Sequence, residues 1–94
     1  MKSEKHEELF VQLITMFQFA ALQHMGKLKN PVTDAVEQDL AQAQFAIDML
    51  EMLQVKMRGN LSPEEEKMIG ALLHDLRLNY VDEVNKVQAA QPKP

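Results

Sequence analysis

Apolar residues recur at helical spacing in three separate runs. In the first, Phe10, Leu13, Ile14, Phe17, Ala20, Ala21 and Met25 fall on one side of a helix. In the second, Val36, Leu40, Ala43, Ile47, Leu50, Gln54 and Met57 alternate intervals of four and three, a heptad seam with one polar member. The third carries Ile69, Leu72, Leu73, Leu76, Tyr80 and Val84 and continues to Val87. The pattern predicts three helices and no strand.

Two breaks separate the runs. Pro31 lacks an N–H and biases Asn30 away from helical geometry, so the first helix stops in the Lys29-Asn30-Pro31-Val32 segment. Thr33 or Asp34 then serves as a cap, with Glu37 at capping-box distance from Asp34. The second break, Arg58 to Glu65, is the sharper one. Gly59 suits the left-handed position after a helix, Ser62 an N-cap, Pro63 the first helical position, and Glu65 completes a capping box. These signals predict helices over 4–28, 34–58 and 63–88 within a single domain of residues 1–94, and a flexible tail over 89–94. Short connections favour antiparallel neighbours. The expected fold is therefore all-α: an antiparallel hairpin plus a third helix, completed as a bundle by oligomerisation.

Charge order agrees with these boundaries. Each helix opens with acids, first Glu4, Glu7 and Glu8, then Asp34, Glu37 and Asp39, then Glu64, Glu65 and Glu66. The first two close with bases, Lys27 and Lys29, then Lys56 and Arg58. Such placement complements the helix dipole at roughly 0.3–1 kcal/mol per charge, which explains the acidic clusters without a binding site.

Composition narrows the picture further. The chain has 94 residues, 46% of them apolar, with seven Met, no Trp and no Cys. It is long enough for one core, and disulfide, zinc-thiolate and thiol chemistry are all closed to it. A formal charge of −4 argues against a nucleic-acid binder. The charged start does not read as a signal peptide, and the stretch Leu9 to Met25 is interrupted by Gln12, Thr15, Gln18, Gln23 and His24. No membrane span is expected, and a cytoplasmic location is the default reading.

Candidate chemistry is sparse. His6 sits at the start, His24 near the end of the first helix, and His74 and Asp75 are neighbours that point about 100° apart on a helix. Asp48 and Glu51 have i,i+3 spacing but no matching pair elsewhere, and Ser3 and Ser62 stand where caps are needed. No metal, cofactor or catalytic residue is expected, and the chain reads as a non-enzyme. An interhelical ion pair such as Asp48 with Arg77 would set the register of the bundle.

What capping and core leave over is apolar. Val11, Phe19 and Leu22 point away from the first stripe, Phe45, Met49 and Met52 from the second, and Leu78 and Val81 from the third. Burying a Phe, Met or Leu is worth roughly 1.5–3 kcal/mol, so these eight form the expected interface. A second copy is the favoured partner, as a dimer, since two-fold homodimers are the commonest oligomers. An unidentified protein partner is the alternative occupant. The other functional reading is a small carrier of lipid or acyl chains, with Met and Phe side chains lining an enclosed void.

Longer segments resemble a known family. Ala46 to Leu53, Lys56 to Glu65 and Leu72 to Val81, with Ala20 to Gly26 and Asn30-Pro31, are similar to a family of short bacterial proteins, domain of unknown function 1844. Where that pattern often has Lys-Thr-x-Gly-Asn-Leu, this chain has Lys56-Met57-Arg58-Gly59-Asn60-Leu61. The resemblance implies a bacterial origin and a helical fold, and carries no activity or site residue with it.

Overall fold

The structure, a computed structural model, describes residues 4–90. It contains α1 (Glu4–Met25), α2 (Leu40–Lys56) and α3 (Pro63–Ala90), and each helix packs against both others. The third helix therefore lies on its own hairpin. Twelve buried side chains form the core, among them Phe10, Ile14, Ala21 and Met25 of α1, Ala43, Ala46, Ile47 and Leu50 of α2, and Ile69, Leu72, Leu73 and Leu76 of α3. Eleven of the twelve are residues that the periodicity assigns inward, Ala46 being the exception. Leu13 is not among them, and its side chain stands 38% exposed on the outer side of α1.

The helix ends explain the differences from the expected boundaries. α1 stops at Met25 rather than 28 because Gly26 takes a left-handed φ of 87°, which a side chain would strain. The Gly26 N–H then donates to the Gln23 carbonyl and the Lys27 N–H to that of Leu22, satisfying two of the last free carbonyls. Lys27 and Lys29 thus lie beyond the helix.

α2 begins six residues later than the capping signal at Asp34 predicts. The segment that precedes it makes a local turn instead. The Asn30 side-chain oxygen accepts from the Val32 N–H, the Asn30 carbonyl accepts from Asp34, and Asn30 and Ala35 form an isolated antiparallel bridge. Asp34 sits at a φ of 58°, which ends any helix there. Short polar side chains compete for the backbone in this way and outbid the helix. The working cap is Asp39: its carboxylate accepts from the Gln42 N–H at 3.1 Å, and its own N–H donates to the His24 carbonyl at 2.7 Å. One residue thus starts α2 and ties it to the end of α1. Val36, the expected first member of the heptad seam, is left exposed in the loop.

The second break behaves as the sequence predicts. Gly59 has a φ of 88°, and Ser62 and Glu65 exchange side-chain to backbone hydrogen bonds at 2.8 and 3.2 Å around Pro63. α3 runs to Ala90, so residues 89 and 90 are helical rather than part of a tail. Ser3 and the segment Gln91 to Pro94 lie outside the described residues.

The molecule is elongated, 59 × 29 × 16 Å with a radius of gyration of 15.4 Å. A compact chain of this length would have a radius near 12 Å. Length exposes surface, and the outward sides of the helices are where it shows.

Candidate interaction surface

Three helices packed pairwise must turn their outer sides in different directions. Each outer side therefore forms its own surface, and the three differ in chemistry. On α2, Phe45 and Met52 stand outward, but Asp48 between them and Glu51 and Lys56 beside them are charged and exposed. On α3, Leu78 and Val81 are exposed among His74, Asp75, Arg77 and Asp82.

The outer side of α1 is unlike either. From Leu9 to Gly26 the chain has no Asp, Glu, Lys or Arg. Leu9, Leu13, Met16 and Phe19 are 50, 38, 68 and 55% exposed, and Gln12 between them is a neutral neighbour. Leu9, Leu13 and Met16 repeat at intervals of four and three beside the core stripe, while Ala20, the next position of that repeat, is half-buried against the core. Depletion of charge with enrichment of Met and aromatic side chains is the compositional mark of an interface centre.

Of the eight residues expected at the interface, Phe19, Phe45, Met52, Leu78 and Val81 are exposed, and Val11, Leu22 and Met49 are half-buried. Leu22 packs against the core, so part of its surface is already spent there. Of the eight, three lie on α1, three on α2 and two on α3. Leu9, Leu13 and Met16 were missed. Their signal was present: the buried stripe of α1 is Phe10, Ile14, Ala21 and Met25, and Leu9, Leu13 and Met16 stand in a neighbouring phase of the helix.

The polar side of the molecule is organised around Glu83. Its side chain is 12% exposed and accepts from Lys27 at 2.7 Å, Lys86 at 3.1 Å and the Gln38 amide at 3.1 Å. Gln38 also donates to the Met25 carbonyl at 2.9 Å, and Asp82 sits 3.2 Å from Lys86 and 3.4 Å from Lys27. The cluster pins the α1–α2 connection to α3. Hydrogen bonds from Lys27 and then Lys86 hold the Glu83 carboxyl below its ordinary value of 4.5, against a smaller opposing effect of burial. The hydrogen bond to Glu83 likewise raises Lys27 above 10.5. Sequence reading missed this carboxylate because it occupies a position on the core side of α3, in phase with Leu72 and Leu76, where an apolar residue is the usual choice.

The direction of the Glu83 shift sets an acid dependence. The unfolded carboxyl binds a proton first as pH falls through about 4.5, so between that value and the lower folded one the unfolded state holds more protons. The contribution of Glu83 is present above this window and is lost as pH falls through it. The stability difference between the native chain and Glu83→Gln, measured by urea unfolding, is expected to be largest near neutrality and to shrink from pH 5 to pH 3. A constant difference across that range would refute the assignment.

Other expected features fall elsewhere. Arg77 pairs with Glu51 at 2.9 Å and not with Asp48, which accepts from Gln44 one turn earlier on its own helix. The pair still links α2 to α3, one turn from where the spacing placed it. His6 and His74 are exposed and His24 is half-buried. Among the described residues no three His, Asp or Glu side chains converge as metal ligands would. Surface depressions of 340 and 260 Å³, the first lined by His6, Phe10, Met57 and Leu61 and the second by His24, Asn30 and Gln38, are open to solvent. Among the Met side chains expected to line a ligand void, Met25 is fully buried while Met16, Met52 and Met68 are exposed. No helix of the described residues is long and apolar enough to cross a membrane.

Fold and surface together define an all-α three-helix protein with an uncharged apolar helix face. A family model, domain of unknown function (DUF1844), matches residues 7–82, and the chain belongs to that family. Neither the curated proteins nor the solved structures yield a match. The matched span covers α1 from Glu7 onward, all of α2 and most of α3, including every residue of the core.

Proposed function

We propose that this protein is a non-enzymatic helical module that works by self-association through its exposed apolar helix faces. The observation that carries the proposal is the outer side of α1, where four large apolar side chains stand in solvent on a stretch without a single acid or base. Contiguous exposed apolar patches of this kind are uncommon on proteins that act alone. The polar clusters have structural duties already: Ser62 and Glu65 cap α3, Asp39 caps α2, and Glu83, Lys27 and Lys86 hold the connection. A lipid carrier needs an enclosed apolar cavity, whereas the depressions beside His6 and His24 are open to solvent.

Light scattering after size exclusion at micromolar concentration tests the proposal. The native chain is expected at about twice its monomer mass of 10.8 kDa, and the double variant Phe19→Asp, Phe45→Asp at 10.8 kDa with unchanged helical circular dichroism. A native chain that elutes at 10.8 kDa, or a double variant that keeps the native mass, would sink it.

A further inference from the structure

We propose that residues 27–38 form a strap whose two ends are held shut by the single carboxylate of Glu83, and that the strap comes free as one unit while the three-helix core stays closed. The proposal concerns the α1–α2 connection alone and is independent of the self-association reading.

The strap owes little to the core. From Lys27 to Gln38 every residue except Asn30 is exposed, and none is among the apolar side chains that form the core or pack against it. Its neck closes without Glu83. The Asp39 N–H donates to the His24 carbonyl at 2.7 Å, and the Lys27 N–H to that of Leu22 at 2.9 Å. The end of α1 and the start of α2 therefore stay together whether or not the strap lies down. Loops of this length whose ends meet form compact surface units. Segments with few buried apolar contacts and exposed backbone hydrogen bonds open at lower free energy than the helices that carry them.

Polar bonds do the holding, and they converge. Lys27, the first residue of the strap, donates to Glu83 Oε2 at 2.7 Å, and Gln38, the last, donates to Oε1 at 3.1 Å. Lys86 steadies the same carboxylate from α3, at 3.1 Å from Oε2. Hydrogen bonds to an ionised group are the stronger kind, and the Glu83 side chain is largely withdrawn from water. Smaller contacts add to these: Gln38 donates to the Met25 carbonyl at 2.9 Å, Lys27 lies 3.4 Å from Asp82, and Val36 and Gln38 rest beside Gly26.

Inside the strap the two ends are linked to each other. The Asn30 N–H donates to the Ala35 carbonyl at 2.8 Å and the Asp34 N–H to the Asn30 carbonyl at 2.7 Å. The Asn30 amide and the Thr33 hydroxyl both donate to Glu37 Oε1, at 3.2 and 3.4 Å. Glu37 adjoins Gln38 and Asn30 lies three residues from Lys27, so a movement at one end passes to the other. These internal bonds make a small, exposed turn that depends on anchored ends to persist. Without Glu83 both ends go, and the turn melts while α1, α2 and α3 keep their shared core.

Nuclear magnetic resonance on the native chain and Glu83→Ala tests the strap. Alanine is the best helix former, so α3 loses no helix propensity. Backbone order parameters over residues 29–37 are expected at about 0.85 in the native chain, as in a rigid helix, and below about 0.6 in Glu83→Ala. The helices should keep their order parameters, and Ile47 and Leu73 their dispersed methyl signals. Lys27→Met leaves α3 untouched and should loosen the strap as far along as Glu37. A strap that stays rigid in Glu83→Ala, or that is already loose in the native chain, would overturn the clamp. Collapse of the Ile47 and Leu73 signals in Glu83→Ala would make Glu83 a strut of the whole bundle and overturn the separate unit. Loosening confined to residues 27–30 in Lys27→Met would show two ends held separately and overturn the single release.

Discussion

Leu73→Ala is expected to cost about 2–5 kcal/mol of unfolding free energy, through lost apolar burial and the cavity left behind. Leu73 is fully buried on α3, the helix that touches both members of the hairpin, so a void there weakens the packing of α3 on them. A chain of 94 residues has roughly 5–14 kcal/mol of total stability, at about 0.05–0.15 kcal/mol per residue. The substitution therefore removes a large share. Urea unfolding followed by circular dichroism should show a much lower midpoint with an unchanged slope, and a loss under 1 kcal/mol would mean that Leu73 is not in a packed core. On the proposed self-association unfolding is coupled to dissociation, so native and variant chains are compared at one protein concentration.

Ala43→Leu is expected to destabilise by overpacking, at about 1–3 kcal/mol. Ala21 of α1 and Ala43 of α2 are both fully buried, and each sits within one turn of the α1–α2 connection. Small side chains at that end let the two helices close on one another. The Asp39 N–H, which donates to the His24 carbonyl, records the same approach in the backbone. A larger residue must push α2 away or strain that contact, so Ala43→Leu should lower the unfolding midpoint, and Ala43→Ser should be better tolerated than its polarity suggests. An Ala43→Leu variant as stable as the native chain would show that the helices have room to spare.

The differences between pattern and structure share a cause. Periodicity locates a helix well when its apolar stripe is buried by another element, as with Ile69, Leu72, Leu73 and Leu76. It fails at the start of α2, where Val36 keeps the heptad phase yet lies outside the helix, because Asn30 and Asp34 find hydrogen bonds within a local turn. The candidate surface was half legible. Phe19, Phe45 and Met52 were recognised by phase alone, but Leu13 was placed in the core, and Leu9 and Met16 were passed over. A helix that is apolar nearly all round gives periodicity little contrast, and only exposure tells which stripe is inside.

By itself the sequence determined the number of helices, the α2–α3 turn and the lack of thiol chemistry. Those follow from local backbone preferences, capping groups and composition, which act over a few residues. Only the tertiary structure decided that α3 closes on its own hairpin, that Glu83 joins Lys27 and Gln38, and that Leu9, Leu13 and Met16 face solvent. Each depends on which of several apolar stripes meets a neighbour, and that choice is made by packing three helices at once.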